Sequence, residues 1–132
     1  MTVTLNRLSY LHAQKLISNR RCILDEGDQW TYHKPARAAQ KRFIEEHGLA
    51  EFALWHLGED DEQAPNSKHR YQFPYGDFER VHRCAVLAAQ AHADQYEYAD
   101  IERAAAHLCE LLDALMGLKT RSPKDQGHVR SR

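Results

Sequence analysis

Apolar positions along the chain recur mostly at helical spacing. The clearest run is Ile101, Ala104, Ala105, Leu108, Leu111, Leu112, Leu115 and Leu118, an i, i+3, i+4 stripe. It predicts a helix from Tyr98 or Asp100 to Leu118, with Glu102, Arg103, Glu110 and Asp113 on the wet face. Upstream, Phe78, Val81, Cys84, Ala85, Ala88 and Ala91 predict a helix capped by Asp77 and running to Gln95. Its stripe of small residues suits close antiparallel pairing with the last helix across a short turn. Leu5, Leu8, Leu11 and Leu16, with Tyr10, Ala13 and Ile17 beside them, predict a first helix from Asn6 to Arg20. Pro35 opens a second helix and Gly48 closes it. Phe52, Leu54, Trp55 and Leu57 place a third, heavily buried helix over Leu49–Leu57, ended by Gly58.

Two stretches lack that periodicity. Gly58 to Ser67 is polar and acidic and reads as an exposed loop. In residues 21–33 the apolar run Cys22-Ile23-Leu24 is too short to separate a small hairpin from an ordered loop. The expected fold is therefore all-α: a compact bundle of about five helices, with a small hairpin or ordered loop near residues 21–33. Composition agrees with helix. Alanine, the best helix former, occurs 17 times, whereas Val, Ile and Thr total only 12. Residues 1–118 make one domain, and residues 119–132, with five basic side chains against one acidic, read as a disordered basic tail.

The overall net charge of −1 argues against a polycation that binds nucleic acid by bulk charge. No apolar run approaches the ~20 residues of a membrane helix, and no signal-peptide pattern is visible at the N-terminus. Three widely spaced cysteines make no disulfide framework and suit a reducing cytoplasm.

Nine histidines invite a search for metal or acid–base chemistry. No His pair has the i, i+4 spacing that points two ligands one way on a helix. His82 and Cys84, and again His107 and Cys109, stand two apart, so on a helix they diverge. A metal site here would have to form across helices, from Cys84, Cys109 and a distant His. Cys22, after Arg20 and Arg21, sits in the most electropositive local sequence of the three thiols. No nucleophile elbow, phosphate loop or dinucleotide fingerprint is present. No catalytic residue, metal ligand or cofactor is assigned, and a non-enzymatic role is expected.

Two binding surfaces are candidates. The segment Lys68–Arg83 gathers Arg70, Tyr71, Tyr75, Asp77, Arg80, His82 and Arg83, the aromatic–arginine mixture typical of binding hot spots. A partner there would be a protein or a small anionic ligand. A basic patch of Arg20, Arg21, Lys34, Arg37, Lys41 and Arg42 offers phosphate contacts, and with the tail it gives a nucleic-acid alternative. A second alternative is a histidine enzyme or metal protein that joins His82 to His56, His69 or His107. A homodimer through the leucine stripe is the further expectation for partners.

The run Arg70-Tyr71-Gln72-Phe73-Pro74-Tyr75-Gly76-Asp77-Phe78-Glu79-Arg80-Val81-His82-Arg83-Cys84, followed by Asp100-Ile101-Glu102-Arg103-Ala104-Ala105-Ala106-His107-Leu108, resembles a family of small uncharacterised bacterial helical proteins. The second half also resembles, more weakly, segments of phage-related proteins. The resemblance spans the first helix to Leu118. It implies a compact helical fold, with the aromatic segment as signature, and carries no catalytic residues.

Overall fold

A computed structural model describes residues 3–120 of the chain. Its elements are β1 (Val3–Leu5), α1 (Arg7–Ser18), β2 (Cys22–Ile23), α2 (Trp30–His33), α3 (Arg37–His47), α4 (Leu49–Ala53), β3 (His56–Asp60), β4 (Tyr71–Pro74), β5 (Val81–His82), α5 (Arg83–Gln95) and α6 (Ala99–Thr120). A single 3-10 turn, Lys68–Arg70, leads into β4. The chain is mixed α/β, which corrects the all-α helical bundle expected above. One sheet has the order β1-β3-β4, and β2 pairs with β5 in a second. Most of the expected basic tail, residues 121–132, lies outside the described residues.

The central strand explains the error. β3 runs antiparallel to both neighbours, with Val3 opposite Asp60 and Gly58 opposite Gln72. His56, Leu57, Gly58 and Asp60 are all buried. Its sequence, His-Leu-Gly-Glu-Asp, has one apolar side chain and no alternation, so from Gly58 onward it reads as the exposed acidic loop expected above; pairing on both edges makes it a strand and buries Gly58 and Asp60. Its start is set from far away. Asn6 donates through Nδ2 to the carbonyls of Ala53 (3.0 Å) and His56 (3.3 Å), and through its backbone N–H to Leu57 (2.7 Å). Asn6 thus precedes α1 as expected, but its side chain fastens the end of α4 and caps nothing on its own helix. Gly58 ends no helix. A Cβ there would come within 2.6 Å of the Phe73 ring, so glycine is what lets that ring lie across the sheet.

Helix α5 begins at Arg83, six residues after the expected Asp77 cap. Asp77 Oδ1 accepts the backbone N–H groups of Glu79 (3.0 Å) and Arg80 (2.8 Å), the bonds an N-cap would make, but no helix follows the turn they close. Phe78 in that turn adopts φ +73°, and Gly76 is bridged back to Val81. A Cβ at Gly76 would sit 2.4 Å from the Arg80 carbonyl oxygen, so the turn requires glycine. Val81 and His82 are left extended, and they pair parallel with Cys22 and Ile23.

Of the remaining helices only α6 buries the stripe that predicts it; in α1 the expected Leu8 and Leu11 are 69% and 59% exposed, and Ser9, Ala13, Leu16 and Ile17 are buried instead. α5 and α6 pack antiparallel as a hairpin against the sheet, burying Ala85, Val86, Ala89 and Ala93 against Ile101, Ala105, Leu108 and Leu112. Each fully buried Leu or Ile contributes about 1.5–3 kcal/mol. Asp100, in the first turn of α6, accepts the N–H of Leu5 (2.9 Å) and ties the hairpin to the edge of the sheet. Among the described residues, no helix is long and apolar enough to cross a membrane.

Candidate metal centre

The parallel pairing of β2 with β5 has a chemical consequence. It carries the chain after Ile23 to the amino end of α5, where Asp25 Oδ1 accepts the backbone N–H of Cys84 (2.8 Å). A carboxylate distant in sequence therefore caps this helix, at the end its dipole makes positive. The same carboxylate gathers three further side chains at Oδ2: His82 Nδ1 at 2.8 Å, His33 Nδ1 at 2.9 Å and Cys84 Sγ at 3.2 Å. His33 comes from the end of α2, and its Nδ1 lies 3.6 Å from Cys84 Sγ. One ligand atom from each of Asp25, His33, His82 and Cys84 lies within 4.8 Å of the other three. His82 and Cys84 are buried, while the His33 side chain is 35% exposed and forms the side nearest solvent.

His82 is held from both sides. Its Nε2 meets Asp77 Oδ2 at 2.8 Å while Nδ1 faces Asp25. A carboxylate oxygen only accepts, so the Nε2 contact with Asp77 takes an N–H from the ring. Trp30 and His33 lie against the ring, with centroids 5.8 and 5.1 Å away. Asp77 thus has two jobs: Oδ1 closes the turn and Oδ2 orients His82.

The electrostatics follow from burial and neighbours. Burial works to raise the Asp25 carboxyl, but the Cys84 N–H, His82 and the Cys84 thiol outweigh it and hold Asp25 below its ordinary range. Asp77 behaves alike: burial is outweighed by His82 and the two turn N–H groups. Burial, reinforced by the Asp25 carboxylate beside it, pushes the Cys84 thiol up to about 12. A thiol held neutral in this way is a poor free nucleophile. At Cys22 burial raises the thiol and the Arg20 charge offsets only part of that, opposite to the lowering expected from its basic neighbours.

The segment Lys68–Arg83 divides between inside and outside. Tyr75 is fully buried, donating its hydroxyl to the Leu54 carbonyl (2.6 Å) and meeting His12 Nδ1 (2.9 Å). Arg70 pairs with Glu59 (2.8 Å), and Arg83 pairs with Asp113 (2.9 Å) while reaching the Asp25 carbonyl. Arg80 is exposed, and Tyr71 lines a cavity together with Lys34, Arg37 and Lys68. Of the basic patch, Arg37 and Lys41 also border a small apolar hollow beside Ala38 and Ile44. Arg20 and Arg42 are exposed, and Arg21 donates to the Glu79 carbonyl (3.0 Å). His56 and His69 share the cavity, His107 pairs with Tyr10, and the histidine that joins His82 is His33.

Asp25 and His33 were not singled out from sequence. Each stands in the unpatterned stretch before Pro35, and only the long-range β2–β5 pairing connects them to His82. Comparison with known protein families, curated proteins and solved structures found no match.

Proposed function

We propose that this protein binds a transition-metal ion of the zinc class at Asp25, His33, His82 and Cys84. The observation that carries the reading is the convergence of four donor atoms of ligand type, brought from three separate chain segments to within 4.8 Å of one another. A tetrahedral ion with bonds of about 2.0–2.3 Å has ligand–ligand edges of roughly 3.3–3.8 Å, a range bracketed by the spacings of this cluster, which run from 2.8 Å to at most 4.8 Å. The donor set selects the ion. Two imidazoles and a thiol favour zinc and its first-row neighbours over magnesium or calcium, which take oxygen ligands.

The surroundings fit the same reading. A ligating histidine usually donates its second ring N–H to a carboxylate, and Asp77 stands in that position behind His82. Bound there, the ion would supply a cross-link between the 25–33 segment and the corner where β5 becomes α5. A cytoplasmic location, expected from cysteine usage, belongs to this proposal, since the reading requires Cys84 as a free thiol.

The test is metal analysis of the full chain purified without chelator. About one equivalent of zinc or a neighbouring metal is expected, removable by chelator. Cobalt added to the stripped protein should then give thiolate-to-cobalt absorption that Cys84→Ser abolishes. Less than about a tenth of an equivalent, both as purified and after zinc addition, defeats the reading. The four side chains would then be a hydrogen-bonded hub that caps α5.

A further inference from the structure

A second feature stands apart from the four ligands. The β4 turn, the start of α3, the end of α4 and the start of β3 line an open cavity of about 610 Å³, within the range of small-molecule sites. Lys34, Arg37 and Lys68 line it, and no Asp or Glu does. Among the described residues, no carboxylate pairs with these three cations; Lys68 Nζ makes one long contact, 3.4 Å, to Gln40. Phe52 and Phe78, with ring centroids 5.8 Å apart, form part of its apolar wall.

His56 supplies the polar floor. It is 7% exposed, and its Nδ1 lies 2.8 Å from the Phe52 carbonyl oxygen. A carbonyl accepts, so Nδ1 carries the hydrogen and the other ring nitrogen presents a lone pair. That nitrogen has no hydrogen-bond partner among the described residues, and the ring lines the cavity. Burial, with Lys34 adding its charge, lowers His56 to about 4, which keeps it a neutral acceptor at ordinary pH. A buried acceptor unmatched by the protein calls for a donor in the cavity, which a ligand N–H or O–H can supply.

We propose that this cavity binds a nucleoside monophosphate, with the phosphate at Lys34, Arg37 and Lys68, the base against Phe52 and Phe78, and a ligand N–H or O–H on His56. The three requirements are an anionic end, a flat ring and a donor group. Inorganic phosphate meets only the first and leaves most of the volume unfilled. The site does not need the proposed ion, although Lys34 follows His33 and Phe78 follows Asp77 in the chain, so the two are neighbours.

The experiment is calorimetric titration of the full chain at low salt with AMP, GMP, CMP and UMP in turn, with inorganic phosphate and adenosine as partial probes. At least one monophosphate should bind with a Kd of about 10–100 µM. The double variant Arg37→Glu with Lys68→Glu, at one exposed and one half-buried position, should weaken it at least about tenfold while leaving the circular dichroism spectrum unchanged. Three results would overturn the proposal: no monophosphate tighter than about 1 mM, unchanged affinity in the double variant, or inorganic phosphate binding as tightly as the best nucleotide. Repeating the titration on chelator-stripped protein separates this outcome from that of the metal assay.

Discussion

His82-Arg83-Cys84 and His107-Leu108-Cys109 are the same spacing of the same two ligand types, placed on two different backbones. The second pair lies inside α6, where residues two apart point roughly 200° from each other. Its side chains accordingly part: His107 bonds the Tyr10 hydroxyl, and Cys109 Sγ approaches Gln90 Oε1 at 3.5 Å. The first pair straddles a corner. His82 is extended, with φ −107° and ψ 126°, and Cys84 is the second residue of α5. There both side chains reach one carboxylate oxygen of Asp25. The rule that i and i+2 diverge holds on a helix and says nothing about a strand-to-helix junction. Misplacing the start of α5 by five residues, with the cap at Asp77 instead of His82, is enough to turn a converging pair into a diverging one.

The largest effect should come from breaking one cysteine of each pair. Cys84→Ser should abolish metal retention, while Cys109→Ser keeps it. With free ion at about 100 times Kd, binding adds about 2.7 kcal/mol, so chelation should lower the wild-type Tm by roughly 10 °C. The same chelation should leave the Tm of Cys84→Ser unmoved. Equal chelator sensitivity in the two serine variants, read by thermal melts in paired buffers, would remove the distinction between corner and helix.

Legibility in the sequence follows the same divide. α1, α3, α5 and α6 are helices as local periodicity predicts, and in α6 the predicted stripe is also the buried face, whereas α1 leaves Leu8 and Leu11 exposed and α3 has no fully buried side chain. The Gly48 closure of α3, at φ +91°, is equally local. β3 and the 25–33 segment are fixed by partners far along the chain: Asn6 for the first, Cys84 and His82 for the second. No window of a dozen residues contains those partners. The chemistry fell into this non-local part, so the histidine excess was visible while the grouping of His33 with His82 was not.

A buried histidine without a carboxylate sharpens the contrast with His82, which has two. His56 is lowered to about 4 by burial against an ordinary value near 6.5, despite the Phe52 carbonyl. Its charged form is disfavoured in the folded state, so its stability contribution is complete above about pH 6.5 and is lost as pH falls toward about 4. At pH 4.5 that loss is about 2–3 kcal/mol. His56→Gln should therefore show a smaller drop in urea stability between pH 7.5 and 4.5 than the wild type does. An identical drop in both proteins would mean that other groups carry the acid sensitivity.

The smallest effect belongs to the pair on α6. Tyr10→Phe removes the hydroxyl that His107 bonds and leaves the ring packed edge-on, with centroids 5.9 Å apart. The expected cost is about 1 kcal/mol in urea unfolding, the usual net worth of one part-buried hydrogen bond. Metal content should not change, because His107 holds α1 to α6 and takes no part in the Asp25 cluster. A loss of metal in Tyr10→Phe would show that the two His-x-Cys pairs are coupled through the helical hairpin. The corner at His82 would then owe its geometry to α6 as well as to Asp25 and Asp77.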